Sequence, residues 1–226
     1  MSFPWPHLPF WNSGECQVCM EKLDDLQKAR VLYTPSRRDL FKALSAVKAE
    51  DVKVCIVGQD PYPNSSHATG FAFSVPDNVT TFPPTLVNIL KEYHEDLGYP
   101  EPKSGNLQKW IDQGVLLINA VPVCAMVKLS DGTRVNGAAI DEWSYLIKDI
   151  VEDLSPRVIC FAFLGRVARE NAKYVDTEIS EVIETSHPSP RGSLNSSSPF
   201  IGSRLFSTIN DRLVQKLGQK AIDWRL

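Results

Sequence analysis

The stretch VKVCIVGQDPYP (52–63) decides the fold, because a short apolar run leads directly into a glycine turn. The run 52–57 does not alternate apolar and polar residues, so it predicts a strand that is buried on both faces. Three further runs have the same character: VLLINAV (115–121), RVICFAF (157–163) and EVIET (181–185). Four such runs predict one central sheet.

Helical patterns lie between these runs. Residues 83–97 begin with prolines and end before Gly98, which are ordinary start and stop signals of a helix. Apolar residues recur at helical spacing in 141–154. The other segments predicted to be helical are 17–31, 38–50, 165–173 and 203–217. Alternating strands and helices predict an α/β fold, a single domain with a central four-stranded parallel sheet flanked by helices on both faces.

The composition is that of an ordinary globular protein. Hydrophobic residues make up 43% and charged residues 23% of the 226 residues, which excludes a disordered chain, a collagen-like fibre and a small disulfide scaffold. We expect one domain over 1–226, in which 1–50 form an N-terminal helical part. No apolar stretch is long enough to cross a membrane, and the N-terminus lacks the basic start of a secretory leader. The sequence therefore predicts an intracellular protein, cytoplasmic or nuclear, with no membrane association.

The five cysteines predict reduced thiols, because their number is odd and no leader precedes them. Cys55, Cys124 and Cys160 lie in apolar runs and are expected in the core. Cys16 and Cys19 form an isolated CxxC pair. A structural zinc takes four ligands and no second pair follows at a suitable spacing, so a metal or cluster at this pair is the minor alternative.

A chemically unusual segment follows each predicted strand. GQDPYP (58–63) follows the first, Asn119 lies near the end of the second, Gly165 and Arg166 follow the third, and HPSPRGS (187–193) follows the fourth. The carboxyl ends of parallel strands meet at one edge of a sheet, and open α/β sheets bind their ligands there. These segments therefore predict one site.

Each notable side chain of these segments has two interpretations. Asp60 is a turn aspartate that bonds its own backbone, or a carboxylate that faces a ligand. Asn119 is a satisfied core amide, or an amide that reads a base edge. His187 is structural, or is aimed by the prolines that follow it. The rings of Tyr62 and Phe73 belong to the core, or stack on a base.

Five motifs in a fixed order point to one family. They are GQDPY (58–62), GFAFSV (70–75), PPTL (83–86), LLINAV (116–121) and HPSP (187–190). In this order and approximate spacing they resemble the uracil-DNA glycosylases of the GQDPY type (family 1). The resemblance runs from about Val52 to the C-terminus and also covers FIGSRLF (200–206) and IDWRL (222–226).

The resemblance implies a DNA repair enzyme that flips uracil out of DNA and hydrolyses its N-glycosidic bond, leaving an abasic site. It implies a monofunctional enzyme that needs no metal or other cofactor. Asp60 would position the attacking water and stabilise the cationic sugar. His187 would hydrogen-bond uracil O2 and stabilise the departing anion.

The resemblance also assigns a uracil pocket and a DNA surface. Tyr62 would exclude the methyl group of thymine, and Phe73 would stack on the base. Asn119 would pair with the uracil edge, and Gln59 would shape the pocket through its backbone. The residues that would lie along the DNA backbone are Ser74, Pro84, Thr85, Gly165, Arg166, Ser189 and Pro190. The implied partners are uracil-containing DNA, single- or double-stranded, and DNA-mimicking inhibitor proteins, and the implied state is a monomer.

The chain departs from the family at several positions. Pro63 stands where the family has a histidine, which removes a polar contact near the water and the phosphate. Thr69 and Arg166 replace a usual histidine and serine. The family places a leucine after HPSP, as the wedge that fills the gap left by the flipped base. Here Arg191 has that position, in a loop about three residues longer, so either Arg191 or the apolar Leu194 is the predicted wedge.

Other functions are alternatives to this one. The first is a protein of the same fold with altered catalysis that binds DNA or a replication partner. An iron–sulfur glycosylase is disfavoured by the GQDPY segment, and a nucleotide-binding doubly wound protein by the absence of a GxGxxG or GxxxxGKS/T loop. The net charge of −3 argues against binding DNA through bulk charge. We therefore expect a local basic face on an acidic surface, formed by Arg166, Arg169, Arg191 and Arg204.

Overall fold

The computed structural model describes residues 3–128, 134–136, 142–157, 159–194 and 196–226. Within these ranges the strands are β1 (Leu32–Thr34), β2 (Val54–Gly58), β3 (Val115–Asn119), β4 (Cys124–Lys128), β5 (Arg134–Asn136), β6 (Cys160–Leu164) and β7 (Glu181–Thr185). The α-helices are α1 (Glu15–Lys28), α2 (Lys42–Ala46), α3 (Pro84–Leu97), α4 (Gln108–Ile111), α5 (Trp143–Leu154), α6 (Arg166–Arg169) and α7 (Leu205–Asp211). Asp141 and Val158, which fall in a predicted helix and a predicted strand, lie outside the described residues.

The four predicted strands form the central sheet, in the order β3–β2–β6–β7, and all neighbouring pairs are parallel. Val54 of β2 lies level with Val115 of β3 and with Cys160 of β6. Every residue of β2 and β6 is buried. Since successive side chains of a strand point to opposite faces, both faces of the sheet are covered. The predicted α/β fold with a four-stranded parallel sheet is confirmed.

A second, antiparallel sheet has the order β1–β4–β5 and is not predicted from the sequence. β1 has only three residues, which are too few for a periodic pattern to emerge. Its residue Leu32 pairs with Met126, far along the chain, so the pairing leaves no local signal. This sheet supports the site, because Thr34 of β1 donates a hydrogen bond to the loop that follows β2.

Some helices are shorter than predicted. The segment 38–50 contains α2 and a separate 3-10 turn at Ala49–Asp51, because Val47 has an extended backbone between them. The segment 165–173 contains α6 and a 3-10 turn at Ala172–Tyr174. In the part of the chain that the structure describes, no helix is both long enough and apolar enough to span a membrane.

The aromatic N-terminal segment packs on the rest of the fold. The rings of Phe3 and Trp11 stack with centroids 4.5 Å apart. The indole Nε1 of Trp5 donates to the backbone oxygen of Val47 at 2.9 Å. The backbone N–H of Phe10 donates to the carboxylate of Asp149 on α5 at 2.6 Å. These bonds fix the segment against α2 and α5.

All five cysteines carry free, buried thiols, in agreement with the predicted reduced state. Burial raises the pKa of Cys16, and it raises the pKa of Cys19 to about 12. Among the described residues, no group of three or more His, Cys, Asp or Glu side chains is placed to hold a metal ion.

Candidate active site

The predicted site segments meet at the carboxyl edge of the central sheet. Asn119 ends β3 and is the register partner of Gly58, which ends β2. Gly165 follows β6, and His187 lies two residues after β7. The loop after β2 (residues 58–74) is called the β2 loop below, and the loop after β7 (residues 186–199) is called the β7 loop.

Gly58 allows two predicted pocket residues to come together. A Cβ atom at this position would lie 2.6 Å from Asn119 Oδ1 and 2.8 Å from Phe73 Cζ. Both distances are shorter than a Cβ atom can approach another heavy atom. The first turn of the β2 loop is fixed to β3, because the backbone N–H groups of Ala120 and Val121 donate to the oxygens of Gly58 and Gln59. The amide of Asn119 and the ring of Phe73 can therefore both lie against Gly58, which has no side chain.

The Tyr62 side chain is fixed to the backbone of Phe73. The Tyr62 hydroxyl donates to the backbone oxygen of Phe73 at 2.9 Å. Phe73 has φ +66°, a left-handed conformation that costs free energy for a residue other than glycine. Two hydrogen bonds support it: Ala72 N–H donates to Leu117 O at 3.1 Å, and Thr69 Oγ1 donates to Ser74 O at 3.2 Å. The β2 loop therefore holds Phe73 in a strained conformation that places its ring beside the sheet edge.

His187 is held in one tautomer. The backbone N–H of Ser189 donates to His187 Nδ1 at 3.2 Å, so the neutral imidazole carries its proton on Nε2. Burial lowers the pKa of His187, which favours this neutral form. Gly165 and Gly192 pack directly against it: a Cβ atom would lie 2.9 Å from His187 Cβ at the first and 2.8 Å from His187 O at the second. The result is a neutral N–H donor on a closely packed backbone.

Asp60 is a mostly buried carboxylate without an ion-pair partner among the described residues. Burial raises the pKa of Asp60 above the usual aspartate value, and a hydrogen bond from its own backbone N–H opposes that shift. The Asp60 carboxylate lies near enough to Cys124 of β4 to affect its thiol. Burial first, and then the charge of Asp60, raise the pKa of Cys124 to about 11. Asp60 therefore lies between the central sheet and the small antiparallel sheet.

The amide of Asn119 makes no hydrogen bond to the described residues, and neither does that of Gln59. Beside Asn119, Tyr62 and Phe73 an apolar cavity of about 40 Å³ lies within the fold. Its other walls come from Pro35, from the β2 loop and from apolar residues of α2 and α5, among them Leu44. The predicted pocket residues thus combine an unpaired amide with apolar walls, an arrangement suited to a flat, polar-edged ring.

The residues expected along DNA fall into two groups, one at the surface and one buried. Those that lie wholly or partly at the surface are Pro84, Thr85, Arg166, Ser189, Pro190, Arg191 and Leu194. Ser74 differs from the expectation, because its side chain is buried and its hydroxyl accepts a hydrogen bond from Leu107 N–H at 3.0 Å. It supports the β2 loop from inside. Gly165 is also buried and packs against His187.

The expected basic face is partly neutralised. Arg166 pairs with Glu170 at 2.9 Å, and the Nε of Arg204 lies 3.6 Å from the buried carboxylate of Asp96. Arg191 has no carboxylate partner among the described residues and is exposed at the tip of the β7 loop. It is therefore a cation free to contact a phosphate.

Three polar residues of α3 were missed by the sequence analysis. The Asn88 amide donates to Pro188 O at 2.8 Å and to Ser193 Oγ at 3.3 Å, which ties α3 to the β7 loop. The buried Glu92 carboxylate accepts the backbone N–H groups of Gly202 and Arg204, at 2.6 and 2.7 Å. The Asp96 carboxylate accepts the N–H of Ser207 at 2.7 Å. The available signal was their spacing: 88, 92 and 96 lie on one face of a helix.

Comparison with known proteins agrees with this arrangement. A family model described as the uracil DNA glycosylase superfamily matches residues 45–214. Among curated relatives, a protein of Enterococcus faecalis named uracil-DNA glycosylase is 40% identical over 212 residues, covering 93% of this chain and 88% of the relative. One of Coxiella burnetii with the same name is 37% identical over 212 residues, covering 91% and 89%.

Two solved structures have the same fold over nearly the whole chain. The crystal structure of mimivirus uracil-DNA glycosylase has a TM-score of 0.78 and 27% identity, and the match covers 96% of this chain and 87% of that one. A variant of mimivirus UNG in complex with UGI has a TM-score of 0.80 and 26% identity, with 96% and 86% covered.

Proposed function

Because this chain belongs to the uracil-DNA glycosylase superfamily, we propose that it is a DNA repair enzyme that hydrolyses the N-glycosidic bond of uracil in DNA. The product is an abasic site. The observation that carries the proposal is the meeting of a carboxylate, an unpaired amide and a neutral imidazole at one sheet edge: Asp60, Asn119 and His187. The GQDPY segment (58–62) supports membership of the type named after it, family 1.

Asp60 and His187 stabilise opposite charges as the bond breaks. Positive charge develops on the sugar and negative charge on the base. The Asp60 carboxylate stabilises the sugar cation and positions the attacking water. The Nε2–H of His187 donates to uracil O2 and stabilises the departing anion, a role supported by the hydrogen bond from Ser189 that leaves the proton on Nε2.

The pocket selects uracil through its shape and one amide. Asn119 pairs with the polar edge of uracil, and cytosine would leave a buried polar group unpaired there, which carries a large penalty. Tyr62 occupies the place of the thymine methyl group, and its bond to Phe73 O keeps the ring from yielding. Phe73 stacks on the flipped base. Gln59 contributes its backbone to the same pocket.

DNA lies across the carboxyl edge, along the β7 loop and the start of α3. A base inside a duplex cannot reach the pocket, so it is flipped out and a side chain fills the gap. Leu194 is the wedge in this proposal, because it is 65% exposed, more than any other exposed large hydrophobic residue that the structure describes. Arg191 contacts the neighbouring phosphates as an unpaired cation.

The enzyme acts as a monofunctional, metal-independent monomer of a single domain. Charge stabilisation by Asp60 and His187 needs neither a covalent amine nor a metal ion in this mechanism. The packing of the N-terminal segment on α5 supports one domain over 1–226. A DNA-mimicking inhibitor protein would bind the same face, in line with the complex of mimivirus UNG with UGI.

The test is excision by the purified protein in the presence of EDTA. The substrates are single-stranded and duplex oligonucleotides that carry one uracil, with thymine and cytosine oligonucleotides as controls and Asp60→Asn as the variant. Abasic sites only at uracil, strongly reduced in the variant, are expected. A folded wild-type protein that excises nothing would overturn the proposal and favour a DNA-binding or replication-partner role.

A further inference from the structure

Thr34 connects the small antiparallel sheet to the β2 loop. It is the last residue of β1, is 1% exposed, and pairs in register with Cys124 of β4. Its hydroxyl donates to the backbone oxygen of Tyr62 at 2.6 Å. Among the described residues, this hydroxyl is the only hydrogen-bond partner of the Tyr62 carbonyl.

Tyr62 is consequently held at both ends. Thr34 fixes its backbone oxygen, and its own hydroxyl is fixed by the bond to Phe73 O at 2.9 Å. Asp60 lies two residues before it on the same turn, so the bond from Thr34 also restrains the segment that carries the carboxylate. The hydrogen bonds from Thr34 to Tyr62 and from Tyr62 to Phe73 therefore link the small sheet to the residues of the pocket.

A cavity borders the Tyr62 ring. The cavity of about 40 Å³ is lined by Pro35, the neighbour of Thr34, and by Tyr62 and Phe73. Its remaining walls include Asn119, residues of the β2 loop and apolar side chains of α2 and α5. A Tyr62 that lost its backbone anchor would have room to shift within this cavity.

We propose that Thr34 is a positioning residue that fixes Tyr62 and thereby sets how strictly the pocket excludes substituents at C5 of the pyrimidine. This inference rests on the proposed role of Tyr62 as the residue that excludes the thymine methyl group. Removal of the Thr34 hydroxyl leaves the partly buried Tyr62 carbonyl without this hydrogen bond and loosens the backbone that carries the ring. Discrimination at C5 then weakens, although no residue that contacts the base has changed.

The experiment compares excision of 5-fluorouracil and of uracil from single-stranded oligonucleotides under single-turnover conditions. The quantity measured is the ratio of the two rate constants, so the intrinsic difference between the two leaving groups cancels between variants. Thr34→Val, which keeps the shape and removes the hydroxyl, is expected to raise the ratio about fivefold, the factor that corresponds to one ordinary hydrogen bond. Thr34→Ser keeps the hydroxyl and is expected to stay near the wild-type ratio.

Ser180→Ala is the control for a purely structural effect. Ser180 is 2% exposed, donates to Ser155 O at 2.8 Å and accepts Ile159 N–H at 3.1 Å, at the opposite edge of the sheet. This variant is expected to lower Tm without changing the ratio. A Thr34→Val protein that lowers Tm and leaves the ratio unchanged would show that Thr34 serves stability alone, which overturns the proposal. If Thr34→Val does not fold, Thr34→Ala removes the same hydroxyl with less bulk and is held to the same expectation.

Tyr62→Ala separates this inference from the proposed function. If Tyr62→Ala raises the ratio and the hydroxyl-free Thr34 variants do not, Thr34 has no part in selectivity and the role of Tyr62 stands. If Tyr62→Ala also leaves the ratio unchanged in an enzyme that excises uracil, the role of Tyr62 and the inference fail together. A wild-type protein without uracil excision overturns both the proposed function and this inference.

Discussion

The β2 loop and the β7 loop lie at the same sheet edge but are built in opposite ways. The β2 loop is fixed from inside by side chains, with Tyr62 bonded to both Thr34 and Phe73 and with Ser74 buried. The β7 loop is fixed mainly through its backbone, where Ser186 N–H donates to Ser198 O at 2.7 Å and Ile201 N–H donates to Ser193 O at 3.0 Å, and its residues Arg191 and Leu194 are exposed. The groups proposed to act on the base therefore have a rigid frame of side-chain hydrogen bonds, whereas those proposed to enter DNA are exposed at the surface.

The largest expected effect comes from the rigid loop. Asp60→Asn removes the charge that stabilises the sugar cation while keeping the side-chain shape, so kcat for uracil excision is expected to fall about 10²- to 10³-fold. Single- and double-stranded substrates should be affected equally, because the chemistry follows flipping. The matched control is Asp176→Asn, an exposed carboxylate at the opposite edge of the sheet. An equal loss in the control, or excision by Asp60→Asn at the wild-type rate, would contradict this assignment.

The second effect concerns Leu194, the exposed leucine of the β7 loop, and excision from duplex DNA. Leu194→Ala is expected to slow excision from duplex DNA about tenfold, since burial of a leucine side chain contributes about 1.5 kcal/mol or more. Excision from single strands should not change, because no gap in a base stack has to be filled. Val214→Ala, an exposed aliphatic residue away from the edge, is the control. A loss confined to duplex DNA in Arg191→Ala instead would assign the wedge to Arg191.

A smaller effect is expected where the β7 loop is attached to α3. Asn88→Ala leaves Pro188 O without its hydrogen bond and loosens the backbone next to His187. The rate constant for uracil excision should fall about fivefold, the equivalent of about 1 kcal/mol for one hydrogen bond. Asn210→Ala also loses an amide with two hydrogen bonds, both to the backbone of Ile222, and should lower Tm without slowing excision. Equal rates in the two variants would mean that the base of the β7 loop does not need this support.

The smallest expected effect is in the pH profile. His187 has a pKa below its usual 6.5 because burial disfavours the charged form, so it stays neutral on mild acidification. Excision should therefore lose less than about fourfold between pH 8 and pH 6, because fourfold is the loss for a histidine with the usual pKa. A fall with a midpoint at pH 6.5 would show that His187 is not desolvated in the working enzyme. Single-turnover rates at constant ionic strength provide the measurement.

The central sheet could be predicted because three of its strands, β2, β3 and β6, lie in nearly continuous apolar runs and the fourth, β7, contains β-branched Val182, Ile183 and Thr185. The same reading brought Asp60, Asn119 and His187 to one edge, since parallel strands that start level also end level. β1 could not be predicted, because a three-residue strand has no pattern of its own and its partner is distant in sequence. The burial of the Ser74 side chain could not be predicted for a related reason: the same motif position fits a surface residue or a buried one until Leu107 is known to lie beside it.

The contacts of α3 have a consequence for how this sequence can change. Asn88, Glu92 and Asp96 each hold a segment that lies about a hundred residues further along the chain. One residue inserted ahead of them would rotate the helix by about 100° and withdraw all three side chains at once. The β7 loop, in which Arg191 and Leu194 are exposed, accepts extra residues without such a penalty. Variation in length should therefore accumulate in 191–199, while α3 keeps its length.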